Sequence, residues 1–597
     1  MTENNELENK GFNFKLIPIM LILGVLPFLV YRHPLPEPVF AKYSWFNDYI
    51  GGLDIFLYAK MILFSAVTVY MIIDVFTSLV IFKKKEKIEF LKKIWLMAIY
   101  LLLVIISTIA SLDMSNSLKG AYDQMEPVMV LVGYAVTVPY VVLSIKSEKD
   151  IRFIYYAVFF STLVTTLVGF LQFRGYNIFE EEWMKKLITE DKFYMYLEGM
   201  HVNDGVHSTF GNTNYVGSYV CIVLPIVVSA LFTKSGKVTK IIAAIEIPAL
   251  VLLLIASRSK TGLAILALEV GVFVLFRLRF ILKRWYIFVP LFVLMVAAFI
   301  KYDSARDFYY INTFKRTLYP EKATYDLTGI VTTGDCIKLT YKGSEIEIRR
   351  VFHQRQKLEA FENGEQIEVT KNGSNSDGTI VLKSGEALNY SISTDEESND
   401  IINIKAAHSL YFKYIRETED YKIKNGYGGW DESIIRPNVL AGYERLASGR
   451  GYIWGITIPL LKDYILKGAG PDTFPVAVGL NGEDYAQQIN AGYYGCIFMR
   501  PHNYYLQMAV VTGCLSLLSV LVFVAMFIIT CFRKLFWRKL ENNSQKFAFF
   551  CMLAVVGFLG CGIANDSMVS VTPLFWTALG LGYAMNSKGF GAAEKEE

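Results

Sequence analysis

IIAAIEIPALVLLLIASRSKTGLAILALEVGVFVLFRLRF, residues 241–280, decides the fold. Two long apolar runs flank one short polar island, Ser257-Arg258-Ser259-Lys260. A helix rises ~1.5 Å per residue, so each run can cross the ~30 Å hydrocarbon layer of a bilayer. Similar runs recur along the chain. They cover 14–32, 56–81, 94–111, 126–145, 151–172, 213–233, 239–256, 261–281, 285–301, 504–531, 546–564 and 571–586. In water-free lipid every backbone amide must be bonded internally, which makes helices the expected form. The sequence therefore reads as an all-α polytopic membrane protein with about 12 transmembrane helices.

Composition agrees. Of 597 residues, 53% are apolar, and mean hydropathy is +0.35. A soluble chain of this length is rarely so apolar. Net charge is only +4, which supplies no field for nucleic acid. The basic residues cluster instead in short loops: Lys83, Lys84, Lys85, Lys87, Lys92 and Lys93; Lys146, Lys149 and Arg152; Lys234, Lys237 and Lys240; Arg277, Arg279, Lys283 and Arg284; Arg533, Lys534, Arg538, Lys539 and Lys546. Alternate loops are poor in Lys and Arg. The positive-inside bias puts the basic loops and both termini in the cytoplasm. Residues 1–15 lack a strongly basic region, and no small-residue cleavage site follows the first run. Residues 14–32 thus read as an uncleaved span.

The segment 302–503 is too polar to span and falls outside. Cys336–Tyr341 and Glu345–Arg350 alternate as strands do. Asn363-Gly364, Asn372-Gly373, Asp377-Gly378 and Ser384-Gly385 read as turns that divide the next stretch. A β-rich insert, a sandwich over about 325–430, is expected in this loop between spans nine and ten. Residues 448–467 read as an amphipathic helix with Trp454, Ile458, Leu461 and Ile465 on one face. It lies against the membrane surface or the helical core, with a break at Pro459. The domain reading is 1–301 for spans one to nine, 302–447 for the insert-bearing loop, 448–503 for the amphipathic helix and catalytic loop, and 504–597 for the last spans and a cytoplasmic tail. The seven cysteines show no metal spacing. Only Cys336 and Cys496 fall in outward polar stretches, and nothing in the sequence fixes whether they pair.

Three polar islands carry the chemistry, and charge topology puts all three on the outer side. Arg258 and Lys260 stand in a very short outward loop, where the positive-inside bias disfavours them. Snorkelling anchors are one reading, and an anion site is the other. Arg450 begins the amphipathic segment in Ser448-Gly449-Arg450, followed by Gly468-Ala469-Gly470-Pro471-Asp472-Thr473-Phe474, where glycines let backbone approach a ligand. It reads either as a solvated helix-start charge or as a phosphate ligand, since guanidinium presents a planar fork to phosphate oxygens. His502, in Pro501-His502-Asn503, suits proton transfer near neutral pH. His207, near His201, precedes Gly211-Asn212-Thr213-Asn214-Tyr215-Val216-Gly217. His207, Asn212, Asn214 and Asn503 are weaker candidates for substrate contact.

In order along the chain, G-N-T-N-Y-V-G (211–217), S-R-S-K (257–260), S-G-R-G-Y-I-W (448–454) with G-A-G-P-D-T-F (468–474), and P-H-N-Y-Y-L-Q-M-A-V-V-T-G (501–513) resemble the motifs of the O-antigen ligase and polymerase superfamily of bacterial polysaccharide assembly. Thr213 stands where that pattern commonly has proline, and Ser259 where it has glycine. The resemblance covers about 205–300 and 445–530, and leaves out the β-rich insert. It implies a membrane glycosyltransferase in the bacterial cytoplasmic membrane. Such an enzyme moves glycan from an undecaprenyl-pyrophosphate carrier to an acceptor hydroxyl on the outer face, without cofactor, nucleotide or metal. Carried over to these residues, it implies that Arg258 and Arg450, with Lys260 beside them, hold the pyrophosphate and that His502 activates the acceptor.

Two other classes remain open at this level. A transporter or flippase of lipid-linked saccharide would place ionisable groups mid-membrane and often carry repeats. Here Asp54, Lys60, Asp74, Glu246 and Glu269 are isolated or near span edges. An envelope binding or sensor protein would use the spans as an anchor, which needs far fewer of them and leaves the Arg and His islands without a role.

Overall fold

The computed structural model describes residues 12–34, 53–121, 123–189, 205–332, 334–351, 357–372, 376–406, 408–426, 429–479, 482–494, 496 and 498–588. Helices stand in every run read as a span. Among the described residues, eight are long and apolar enough to cross a membrane: Tyr58–Ile81, Lys84–Ile109, Glu148–Phe173, Thr213–Phe232, Lys237–Ser257, Trp285–Ser304, Cys514–Leu535 and Asn543–Cys561. The stretches Phe14–Phe28 and Val128–Ser144 are apolar but shorter. Thr213–Phe232 and Asn543–Cys561 are mostly buried and pack on each other at the centre of the bundle, while Trp285–Ser304 lies wholly outside it.

Several boundaries differ from the sequence reading. Lys84–Ile109 starts ten residues early and takes a lysine-rich stretch into the helix. Straight-chain Lys and Glu are good helix formers. Glu86 also caps the start, its Oε2 accepting from the Lys83 amide at 3.1 Å. The run 504–531 is two helices, Tyr504–Val511 and Cys514–Leu535. The chain turns at Gly513, whose φ is 99°. The freed carbonyls of Val510 and Val511 accept from the Ala469 and Gly470 amides at 2.7 and 3.0 Å. Gly468 therefore admits backbone to backbone, while a Cβ on Gly470 would meet the Ser111 and Ser117 side chains. A Cβ on Gly468 would lie 2.0 Å from the Val511 carbonyl oxygen.

The bundle has two chemically distinct ends. At one, Lys234 meets Asn543, Ser544 meets Glu148, Arg277 meets the Arg538 carbonyl and Lys534 meets the Asn586 carbonyl. These are the basic loops. The other end carries the starts of Thr213–Phe232 and Tyr504–Val511, the end of Lys237–Ser257 and the turn 562–571.

The insert is a sandwich of two antiparallel meanders. Five strands lie between Leu327 and Ile367, and seven between Val369 and Asp431. Alternate residues of both sheets, including Ile337, Leu339, Ile346, Ile348, Ile380, Ile402, Ile404 and Phe412, fill one core. Asn363-Gly364 forms the expected two-residue hairpin turn between Glu362 and Glu365, with φ of 50° and 82°. Gly385 likewise turns the chain, whereas Asp377-Gly378 begins a strand, where Gly378 makes room for Tyr390. Asn372-Gly373 lies partly outside the described residues. Cys336 is buried in the sandwich, Cys496 is exposed, and both are free thiols.

The amphipathic segment breaks where Pro459 predicts. Leu446–Thr457 is α-helical only from Arg450 onward, after left-handed backbone at Ala447, Ser448 and Gly449, and Ile458–Tyr464 continues as a 3-10 helix. Its buried side is Tyr452, Ile453, Ile456 and Leu460. Ile458 and Ile465, from the expected apolar face, are exposed, and Trp454 donates to the Pro501 carbonyl at 3.0 Å.

Candidate functional site

Four loops at the non-basic end enclose a cavity of about 220 Å³ lined by Asn212, Asn214, Tyr215, Ser448, Arg450, Tyr493, His502, Asn565 and Asp566. Each loop is fixed locally. Asn212 caps Thr213–Phe232, its side-chain oxygen accepting from the Asn214 amide at 2.8 Å. Asn503 caps Tyr504–Val511 through the Leu506 amide at 2.9 Å, and its Nδ2 donates to the Ile563 carbonyl at 2.8 Å. That cap leaves His502 just outside the helix in a left-handed conformation, φ 50°. Left-handed backbone costs a non-glycine residue energy, and such positions concentrate at functional sites.

His502 Nδ1 lies 2.8 Å from Asp566 Oδ2. The Asp566 side chain is fully buried, and its Oδ1 accepts from the Asn503 amide at 3.2 Å. Arg500 Nε stands 3.9 Å from Asp566 Oδ2. Burial alone would raise the Asp566 carboxyl, but His502, Arg500 and Arg450 outweigh it and hold it below the usual carboxylate range. A carboxylate so held fixes the imidazole ring with a proton on Nδ1 and leaves Nε2 as the acceptor.

Arg450 follows three left-handed residues, Ala447, Ser448 and Gly449. Its Nη1 donates to the Ala447 carbonyl at 3.0 Å, while its Nε is buried with no partner among the described residues. Burial lowers its pKa, yet an arginine stays charged at any working pH. A second cation stands behind the dyad. Buried Arg500 is ion-paired with Asp123 and donates to the Tyr215 hydroxyl. Asn565 Nδ2 donates to Ser218 Oγ at 2.9 Å, and its Oδ1 is also buried and unpartnered among the described residues.

The cavity thus gathers His502, Arg450, Asn212 and Asn214 from the sequence candidates and leaves the others out of its lining. Arg258 is exposed, in the left-handed C-cap of Lys237–Ser257. Lys260 starts the next helix and places its ammonium 4.6 Å from the Tyr309 ring centre. Their loop still abuts the wall, because Ser259 Oγ is 3.5 Å from Asn214 Oδ1 and Gly217 packs against Gly262. His207 lies against Phe56 with Nδ1 3.1 Å from the Ser208 carbonyl, and burial lowers its pKa. Asn503 serves as a cap, and His201 lies outside the described residues. Asp472 belongs to the frame: its Oδ2 accepts from the Ala121 and Glu126 amides, both at 2.9 Å, and burial raises its carboxyl to about 7.

Sequence reasoning missed Asp566, Arg500, Tyr215, Tyr493 and Asn565. Asp566 was available in principle, being the one charged residue between Lys546 and Lys588. Among the described residues no group of three His, Cys, Asp or Glu side chains is placed to hold a metal ion. No protein-family model, curated protein or solved structure matches this chain.

Proposed function

We propose that the chain is a membrane glycosyltransferase that transfers or polymerises glycan from an undecaprenyl-pyrophosphate-linked donor to an acceptor hydroxyl. The observation that carries the reading is one cavity shared by an oriented His502–Asp566 pair and a half-buried Arg450 with an unpartnered Nε. In this scheme His502 Nε2 takes the acceptor's hydroxyl proton. The acceptor oxygen bonds to the anomeric carbon as the bond from that carbon to the phosphate oxygen breaks. The undecaprenyl pyrophosphate leaves with the electron pair, and its growing charge is met by Arg450. Asp566 stabilises the imidazolium until the proton departs. Arg258 and Lys260, on the loop beside the wall, serve the distal phosphate or the lipid end rather than the reacting centre.

In this reading each of the twelve runs crosses the cytoplasmic membrane of a bacterium once, the tenth through Cys514–Leu535, with basic loops and termini inside and the sandwich outside. Nucleotide sugars are not available there, so an outward site needs a membrane-borne activated donor.

The test is glycan transfer in membranes supplied with an undecaprenyl-pyrophosphate-linked repeat unit and no nucleotide. Wild type should transfer or lengthen glycan, and His502→Ala and Arg450→Ala should not, at equal protein level. Full activity in His502→Ala would sink the mechanism. No turnover in wild type with acceptor present would shift weight to transport or binding.

A further inference from the structure

The sandwich and the cavity meet at two consecutive residues. The short helix Tyr485–Ala491 contributes Tyr485 and Ala486 to the sandwich core, and Asn490 Nδ2 donates to the Leu327 carbonyl on the first sandwich strand at 2.7 Å. The helix ends at Gly492 in a left-handed cap, φ 77°. Tyr494 then turns toward the sandwich and donates its hydroxyl to the Lys424 carbonyl on a strand of the seven-stranded sheet. Tyr493 turns the other way. It lines the cavity and donates its hydroxyl to the Gly449 carbonyl at 2.9 Å, one residue before Arg450.

The Tyr493 ring is itself fixed, stacked on Tyr452 at 5.9 Å and edge-on to Phe498 at 5.1 Å. The loop it holds has its own bonds, from the Gly449 amide to the Arg445 carbonyl at 3.2 Å and from Arg450 Nη1 to the Ala447 carbonyl, but it is strained. Ala447 and Ser448 occupy left-handed backbone without being glycine, and a Cβ on Gly449 would lie 2.3 Å from the Tyr493 hydroxyl. A bond from a rigid neighbour opposes the relaxation of such a strained turn.

We propose that Tyr493 is a positioning residue that sets the placement of Arg450, and that Tyr494 ties that placement to the sandwich. The sandwich is then a structural determinant of the cation site, not a spacer. The claim of function for Arg450 rests on the reading above; the latch itself does not.

Hydrogen–deuterium exchange on the full-length protein in detergent, comparing wild type with Tyr493→Phe and Tyr494→Phe, tests the latch directly. Both variants keep the ring and lose one hydroxyl. Exchange of the peptide covering 446–452 should rise in both, about five- to tenfold in Tyr493→Phe, the scale of one hydrogen bond. Unchanged exchange in Tyr493→Phe would overturn the proposal, and unchanged exchange in Tyr494→Phe alone would overturn the link to the sandwich. A parallel titration with inorganic pyrophosphate separates the two claims. Tyr493→Phe should bind it about five- to tenfold more weakly than wild type, with no further loss in the Arg450→Ala/Tyr493→Phe double variant than in Arg450→Ala. Additive losses would overturn the action through Arg450. Equal binding by wild type and Arg450→Ala would instead fail the pyrophosphate reading, leaving the exchange result to decide the latch.

Discussion

His502 Nδ1 and Asp566 Oδ2 are 2.8 Å apart although three helices, Tyr504–Val511, Cys514–Leu535 and Asn543–Cys561, separate the two residues in sequence. The pair is held from both sides, since the amide next to His502 bonds the other carboxylate oxygen. Asp566→Asn keeps the shape and removes the charge that selects the tautomer. In the proposed reaction, transfer should then fall by about 10³-fold or more in kcat, with KM little changed. A measured loss confined to KM would move Asp566 from proton transfer to binding.

Arg450 and Arg258 should separate. Arg450 lines the cavity and Arg258 is exposed beside it. Removing a charge-assisted contact costs ~1.5–3 kcal/mol, so Arg450→Ala should weaken donor use by about 10- to 150-fold, and Arg258→Ala by less than about 10-fold. Steady-state kcat/KM in proteoliposomes decides it, and equal losses would restore the symmetric roles that the sequence motifs imply.

Asp472 gives a pH signature in stability. Its folded carboxyl titrates at about 7 instead of the usual 3.8, because burial disfavours the anion. The folded state therefore binds the proton more tightly, and the associated stability is full below pH 3.8 and lost as pH rises through 7. Asp472→Asn keeps an oxygen for the Ala121 and Glu126 amides without the buried charge. Its melting temperature in detergent should exceed that of wild type at about pH 8 and approach it at about pH 5. A variant less stable than wild type at the higher pH would contradict the argument.

Gly217→Ala should damage the site from a distance. The added Cβ would lie 2.3 Å from Ser259 Oγ and 3.1 Å from Gly262 Cα. Overpacking of this kind costs about 1–3 kcal/mol. The variant should melt lower than wild type and lose the proposed transfer activity, while Gly271→Ala, whose Cβ meets open space, serves as the neutral control.

The helical runs and the β-rich insert were legible because hydropathy and alternation are local signals. Asn363-Gly364 announced its hairpin for the same reason. The break at Gly513 was not, because the run 504–531 is apolar on both sides and the donors that satisfy the broken turn, Ala469 and Gly470, come from a distant part of the chain. At the site, His502 and Arg450 stood out as polar residues in motifs. Arg500 and Tyr215 did not, since their role arises only when loops far apart in the chain pack together. Arg258 drew attention through its topology, yet a left-handed cap turns its residue outward, and that conformation is written in no spacing.

The chain leaving the sandwich folds back on the end of its first strand, Leu327–Val331. The Thr332 amide donates to the Ser433 carbonyl at 3.0 Å, and the Ser433 amide donates back to Thr332 Oγ1 at 2.8 Å. Further out, the Ala323 amide donates to the Gly442 carbonyl at 2.8 Å, so the chain enters and leaves the sandwich at neighbouring points and a replacement need bridge only a short gap. What cannot be exchanged freely is the surface that receives Tyr485, Ala486 and Tyr494. A graft replacing 327–431 would need to supply a core edge for the first two residues and a carbonyl for the third.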